Sequence, residues 1–503
     1  MKKAGRIIAI VVGTFMVFIG FLGYFSAKWY ISTYGDVGVD SIIYTLFRGV
    51  TGAASNVFFK FLVFALLPAV LLTVVAALIL FYGFKKKFVL KTKKKNRQIY
   101  PFPRWFAVIV SAVLSGILCF SAAVTIDLVG YVKYMLEPNS TIYEDFYVDP
   151  MEAEITFPEE KRNLIFIFLE SMENSFFSVE HGGGNDVETI PELYDLAKEN
   201  INFSHNDGVG GASALAGSTW TVAAMVSHTS GVPLKMPLNV EGNQYGQTSF
   251  LTGLYSLTDV LRDNGYYQAL MVGSDASYGS RKQYYEQHGI DKIYDIYSAR
   301  EDGIVPEGYH VWWGMEDLHT FDYAKKELPE IAAGDKPFAF TLLTVDTHQA
   351  DGYVCKYCDD EHEEQYENVY SCSSRQVLDF VNWVKTQDFY ENTSIIICGD
   401  HLTMDAAFIK RNVYEGFDRR TYNCFINVPV TPSETKNREF TTFDMFPTTL
   451  TALGCEIKGE RLGLGTNLFS EIPTLSEALG KDYLSEELKK KSDFYGINFY
   501  FER

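Results

Sequence analysis

The 503-residue chain has no internal repeat and no low-complexity tract, so its length does not come from a repeated unit. Acidic residues are almost missing from its first 104 positions, where Asp36 and Asp40 stand against fifteen Lys and Arg, a net charge of +13. The whole chain carries −19, so the remainder carries −32. A part so acidic is unsuited to nucleic acid or to passive adhesion on anionic lipid, and is compatible with binding a divalent cation. The basic start MKKAGR resembles that of a signal peptide, but the apolar stretch it leads into lacks a small-residue cleavage site. That stretch is read as a retained helix.

Long apolar runs are confined to residues 7–25, 61–82 and 105–126, each about long enough to cross a hydrocarbon core of ~30 Å. Basic residues set the orientation. Lys2, Lys3 and Arg6 precede the first run, and GFKKKFVLKTKKKNRQIYPFPR separates the second from the third. Inside, out, in, out is the assignment that keeps both basic segments cytoplasmic. Everything after about Asp127 is then expected outside the cell.

Cysteine is scarce, with seven in all. Cys119 lies in the third apolar run. Cys355, Cys358 and Cys372 cluster near His362, as either a disulfide or a metal site, and an outside location favours the disulfide with no partner assigned. Cys398, Cys424 and Cys455 sit in apolar settings as buried thiols.

Residues 1–130 form the expected membrane region, 131–162 a polar connector, 163–475 the main domain and 476–503 a C-terminal tail. A chain cut at about Asn163 is expected to be soluble. From there, apolar runs (LIFIFLE, YYQALMVGS, FAFTLLTVD, TSIIICGD) alternate with helical stretches such as ETIPELYDLAKEN, TSFLTGLYSLTDVLRDNG and SSRQVLDFVNWVKTQ. That alternation predicts an α/β domain around a mostly parallel sheet, with ligands at the C-terminal ends of the strands.

Those ends are Glu170; Asp346 with Thr347 and His348; and Asp400 with His401. Glu, Asp and His are ligands that suit Zn²⁺ or Mn²⁺. Residues 217–234, GSTWTVAAMVSHTSGVPL, place hydroxyls before an apolar stretch. They read as a helix N-terminus capped by Ser218 or Thr219, or as a nucleophile held where helix N–H groups stabilise an anion. A cation held by Glu170, Asp400 and His401 would lower the hydroxyl pKa of Ser218, and His348 would serve a phosphate or a leaving oxygen.

With these residues assembled, the sequence resembles the membrane-anchored branch of the sulfatase/alkaline phosphatase superfamily, especially lipoteichoic acid synthases and phosphoglycerol transferases. The matching pieces are LIFIFLESMENSF, GSTWTVAAMVSHTSGVPL, SDASYGSRKQYYEQHGIDKIYD, TVDTH, IIICGDH and FDMFPTTLTALGCEIKGERLGLGTNLF, in that order. The resemblance implies a sulfatase-like fold, with Glu170, Asp400 and His401 as metal ligands. It implies Ser218 as nucleophile and further ligand, in place of the usual threonine, with Thr219 as the alternative register. It implies His348 beside the phosphate, Arg281 on the head group, and Trp313 and Asp317 lining the cleft. The cation would be one Mn²⁺, with Mg²⁺ or Zn²⁺ as alternatives.

The C/S-x-P-S-R motif of sulfatases is absent, which disfavours sulfate-ester hydrolysis. Three apolar runs rather than the five typical of the synthases leave the acceptor open. The resemblance thus implies a transferase in a bacterial cell membrane, with its catalytic domain extracellular. It would move phosphoglycerol from phosphatidylglycerol to an envelope polymer, glycolipid or glycan through a glycerophosphoryl-serine. Phosphoethanolamine transfer, head-group hydrolysis and non-catalytic binding of a surface polymer are the alternatives.

Overall fold

The computed structural model describes residues 2–35, 38–39, 41–43, 55–85, 88–92, 95–99, 104–235 and 250–500. It divides into a unit of residues 1–39 and 54–133 and a unit of residues 40–53 and 134–503.

The first unit is built on helices α1 (Lys2–Tyr34), α2 (Leu67–Lys85) and α3 (Arg104–Thr125). Ser55–Phe61 and a π-helical turn, Leu62–Leu66, lead into α2. A hairpin of Phe88–Thr92 and Lys95–Ile99 connects α2 to α3. Among the described residues three stretches are long and apolar enough to cross a membrane: Ala4–Tyr34, Phe58–Gly83 and Trp105–Thr125. Small residues let α1 and α3 approach closely. A Cβ at Gly20 would lie 2.9 Å from the Ser115 Cα, and the Ser115 hydroxyl donates to the Met16 carbonyl at 2.7 Å. Apolar helices in lipid pair by such close approach.

In the second unit seven strands form one sheet: β1 (Asn163–Leu169), β2 (Gly211–Ala212), β3 (Tyr267–Val272), β4 (Lys292–Tyr294), β5 (Phe338–Leu343), β6 (Thr393–Gly399) and β7 (Thr421–Ile426). Their order is β2-β7-β6-β1-β5-β3-β4. The five strands from β6 to β4 are parallel, while β7 runs antiparallel to both β6 and β2. The sheet is mostly parallel, as the apolar runs predicted, with an antiparallel edge added.

Unbroken apolar runs suit strands covered on both faces. Successive side chains of β1 point to opposite faces. Leu164, Phe166 and Phe168 enter one core; Ile165, Ile167 and Leu169 enter the other. The register Phe168↔Cys398 and Leu169↔Gly399 brings the ends of β1 and β6 level, so Glu170 and Asp400 leave the sheet side by side.

Residues on both sides of the expected 163–475 limits pack against one another. Residues 142–146 form a helix whose Tyr143 stacks on Phe494 at 6.2 Å and meets Phe499 edge-on at 5.9 Å. Ser140 N–H donates to the Lys491 carbonyl at 2.9 Å, and its hydroxyl to Glu487 at 2.7 Å. Leu484, Leu488, Tyr495 and Phe499 belong to the same core as Phe166 and Phe168. Residues 140–143 of the expected connector and residues 484–499 of the expected tail therefore pack against each other and against the domain's core.

Candidate active site

Three side chains meet at the C-terminal edge of β1 and β6. Glu170, Asp400 and His401 each offer a ligand atom, all within 4.8 Å of one another and all buried. His401 Nε2 lies 3.6 Å from Glu170 Oε1 and 3.4 Å from Asp400 Oδ2. The opposite ring nitrogen, Nδ1, is 2.9 Å from the Leu402 carbonyl and donates to it, which leaves the Nε2 lone pair facing the carboxylates.

Backbone groups hold the carboxylates in place. Asp400 Oδ1 accepts from Ser171 N–H at 2.8 Å and from His401 N–H at 2.7 Å, while the Ser171 hydroxyl donates to Glu170 at 2.7 Å. Asp400 Oδ2 is buried with no hydrogen-bond partner. An orphaned carboxylate oxygen beside a second carboxylate and an imidazole lone pair is a donor set that fits a divalent cation.

The electrostatics fit the same reading. Burial and the neighbouring Glu170 push Asp400 up to about 7. Burial opposes the charge of Glu170 too, but His348 and His401 hold it below the usual carboxylate range. Burial alone would lower His401, and the Asp400 and Glu170 carboxylates more than reverse it. A cation would relieve the crowding of negative charge directly.

The hydroxyl that reaches this group belongs to Thr221. Its Oγ1 is 3.2 Å from Glu170 Oε2 and 3.4 Å from His401 Nε2. Ser218, the residue expected there, turns away: it is fully buried and its hydroxyl donates to the Leu215 carbonyl at 2.8 Å. Thr219 is half-buried on the same turn, and the contacts to Glu170 and His401 come from Thr221 instead.

The cause is where the helix begins. Helix α4 (Thr221–Ser230) has Trp220 at its N-cap, in extended conformation and with no side-chain cap, so neither Ser218 nor Thr219 caps it. Gly217, at φ +80°, turns the preceding residues so that Leu234 N–H reaches its carbonyl at 2.8 Å. The first N–H groups of α4 have no carbonyl within the helix to bind, and they flank Thr221. The signal in the sequence was that Thr221, not Ser218, directly precedes the apolar run starting at Val222.

His348 follows β5. Its Nδ1 is 2.7 Å from the Gln349 carbonyl and its ring lies 4.6 Å from that of Trp313. Burial lowers its pKa, against the pull of Glu170. Arg281 opens helix α5 (Arg281–Gln287). It is buried and held by Ser274 Oγ at 2.9 Å, the Asp275 carbonyl at 2.8 Å and the Tyr278 carbonyl at 3.1 Å. Trp313 packs on Tyr278 as well as His348, so Arg281, Tyr278, Trp313 and His348 form one wall.

Asp317 does not line that wall as expected. It opens helix α6 (Asp317–Ala332), and its oxygens accept from Val345 N–H at 2.7 Å and Asp346 N–H at 3.0 Å. Both are taken up in fastening the loop that carries His348. Asp346 lies outside the three-donor group.

Several supporting residues, Thr347 aside, were not singled out from the sequence. Thr347 Oγ1 donates to the Glu170 carbonyl at 2.6 Å, and Thr344 Oγ1 accepts from Glu170 N–H at 2.9 Å. Buried Glu173 is paired in two-pronged fashion with Arg419, whose Nη2 also reaches the Thr403 carbonyl at 2.9 Å. Long helix α7 (Gln365–Lys385) sends the Tyr366 hydroxyl to the Thr347 carbonyl at 2.7 Å and the Tyr370 hydroxyl to the Ser171 carbonyl at 2.9 Å.

A mostly parallel α/β sheet with two carboxylates, an imidazole and a helix-start hydroxyl at its C-terminal edge defines the class as an alkaline phosphatase-like fold with a buried acidic and histidine centre. The chain belongs to the sulfatase family, whose model matches residues 162–455. It is similar to phosphoglycerol transferase I of Salmonella choleraesuis, 26% identical over 445 residues covering 87% of this chain and 53% of the relative. It is also similar to phosphoglycerol transferase I of Escherichia fergusonii, 27% identical over 381 residues covering 74% and 46%. The chain thus spans about half the length of the curated relatives it matches. Among solved structures it resembles the lipoteichoic acid synthase LtaP from Listeria monocytogenes, with TM-score 0.48, 18% identity, and coverage of 65% of this chain and 81% of that one.

Proposed function

We propose that the protein is a membrane-tethered phosphoglycerol transferase that uses Thr221 as its nucleophile. The observation that carries this reading is the Thr221 hydroxyl, 3.2 Å from Glu170 and 3.4 Å from His401 at a helix start. Glu170, Asp400, His401 and Thr221 would hold one divalent cation, Mn²⁺ in the first instance. Bound there, such a cation would lower the hydroxyl pKa and offset charge on the phosphoryl oxygens.

The Thr221 oxygen attacks the phosphorus of phosphatidylglycerol, and the bond from phosphorus to the diacylglycerol oxygen breaks. The proton lost by the Thr221 hydroxyl passes to His348, whose Nε2 is left unprotonated by burial, and His348 hands it to that leaving oxygen. The N–H groups at the start of α4 hold the phosphoryl oxygens of the resulting glycerophosphoryl-Thr221. An acceptor hydroxyl on an envelope polymer, glycolipid or glycan then attacks the same phosphorus, its proton passes to His348 and on to the departing Thr221 oxygen, and the Thr221 hydroxyl is restored. With its Nδ1–H donated to the Gln349 carbonyl, His348 has Nε2 for both transfers. Arg281, Trp313 and Thr219 are assigned to the head-group side. The three apolar helices would keep the domain on the outer face of the bilayer that supplies the lipid.

The test uses the full chain in detergent with Mn²⁺ and fluorescent phosphatidylglycerol, following diacylglycerol release. Loss of release in Thr221→Ala and with chelator, together with a glycerophosphoryl adduct on the peptide containing Thr221, supports the reading. Activity retained in Thr221→Ala, or release from phosphatidylethanolamine alone, overturns it.

A further inference from the structure

Among the described residues a second group of ligating side chains lies apart from the acidic centre. The Sγ atoms of Cys355, Cys358 and Cys372 all lie within 4.8 Å of one another. Cys355 is 3.7 Å from Cys372 and 3.8 Å from Cys358. Zinc–sulfur bonds of about 2.3 Å at tetrahedral angles place neighbouring sulfurs about 3.8 Å apart. The two spacings from Cys355 match that figure.

The local backbone supports thiolates. In the turn CKYC, Cys358 N–H donates to the Cys355 carbonyl at 3.1 Å, Tyr357 N–H reaches Cys355 Sγ at 3.4 Å, and Cys355 N–H reaches Cys358 Sγ at 3.3 Å. Amide N–H groups aimed at sulfur favour its charged form.

Gln376 supplies a fourth corner and an independent pointer to a ligand. Its Nε2 lies 3.3 Å from Cys372 Sγ and 3.9 Å from Cys355 Sγ, while its Oε1 is buried with no hydrogen-bond partner. Turned over about its last bond, the amide presents that orphaned oxygen to the sulfurs instead. An oxygen ligand at about 2.1 Å from zinc lies about 3.6 Å from each sulfur, between the two observed spacings. His362, the other nearby donor, is engaged elsewhere, with Nε2 2.9 Å from Ser371 Oγ.

We propose that Cys355, Cys358, Cys372 and Gln376 form a structural site for a zinc-class cation, separate from the acidic centre. Thiolates select such a soft ion, whereas two carboxylates, a hydroxyl and an imidazole accept Mn²⁺ or Mg²⁺, so the two sites sort different metals. The ion fastens the loop leaving His348 onto α7. It would add to the contacts that loop already makes, Tyr353 N–H on the Asp346 carbonyl at 2.8 Å and, from α7, Gln365 on the Asp351 carbonyl at 3.1 Å and Asn368 on the Glu361 and His362 N–H groups.

The test is metal analysis of the full chain purified in detergent, carrying Asp400→Asn and His401→Ala so that the acidic centre holds nothing. Zinc at a stoichiometry near one per chain, and on cobalt exchange an intense near-ultraviolet thiolate-to-cobalt band, is the expected result. Cys372→Ser should abolish that band, and Gln376→Ala should weaken zinc retention while leaving the fold intact. The acidic centre contains no sulfur and gives no such band, so failure of the transferase reading leaves this test unaffected. A disulfide among the three cysteines in the purified protein, or three thiols that titrate freely with no zinc retained, overturns the proposal.

Discussion

Thr221 and Glu170 lie 51 residues apart in the chain, yet their side-chain oxygens are 3.2 Å apart. One begins helix α4 and the other directly follows strand β1, and the contact forms because the helix starts where the strand ends.

Removing that hydroxyl should cost more than removing any neighbouring one. Thr221→Ala is expected to lower diacylglycerol release by at least about 10³-fold, the scale on which loss of a covalent nucleophile is felt. Thr221→Ser keeps the oxygen and should retain measurable release. Ser218→Ala should retain turnover while destabilising the turn by about 1 kcal/mol, the usual worth of one hydrogen bond. Lipid assays and denaturant midpoints on the three variants separate these effects.

Asp317 is expected to act through the loop it fastens. In Asp317→Asn one of the two backbone N–H groups, on Val345 or Asp346, would face an amide NH₂. A buried donor left unsatisfied costs about 1–3 kcal/mol. If that loss falls on the placement of His348, kcat should drop about 10–100-fold with KM for the lipid little changed. A rise in KM at constant kcat would return Asp317 to the substrate side.

Acid should destabilise the fold through His228 on α4. Burial lowers its imidazole from 6.5 to about 4, so the unfolded chain takes up the proton first as pH falls. Its contribution is intact above 6.5 and is lost as pH drops toward 4, up to about 3 kcal/mol. His228→Gln should therefore show a shallower fall in denaturant midpoint between pH 7 and 5 than the parent chain. Parallel slopes would contradict this.

Truncation should reveal the true edges of the domain. A chain beginning near Tyr134 keeps Ile142 and Tyr143 with their partners, whereas one beginning at Asn163 leaves Tyr495 and Phe499 without Tyr143. Losing a buried aromatic typically costs about 3–5 kcal/mol. The shorter chain should show a lower melting temperature or aggregate, measured beside the longer one.

The sheet and the three residues of the acidic centre were legible because each of those strands is an unbroken apolar run with a polar residue at its end, as in LIFIFLE and IIICGDH. Strand β7, TYNCFI, was harder to see: Asn423 interrupts its apolar run, and that side chain is buried only because it bonds the Phe203 backbone. Thr221 was missed for a geometric reason. Which of three adjacent hydroxyls faces inward depends on the φ of Gly217 and on where helical dihedrals begin, and neither is written in composition. Asp317 was misread because a sequence shows a carboxylate but not its donors. The C-terminal residues looked like a tail because Leu484, Leu488, Tyr495 and Phe499 are spread through short charged helices.

The pairing of Tyr143 with Phe499 also bears on how the protein is made. Ile142 and Tyr143 leave the ribosome some 350 residues before the helix that covers them, the separation being 354 between Asn139 and its partner Asp493. Through that interval the sheet can assemble but its aromatic seam stays open. The newly made domain would remain dependent on whatever shields exposed rings at the membrane until that seam closes.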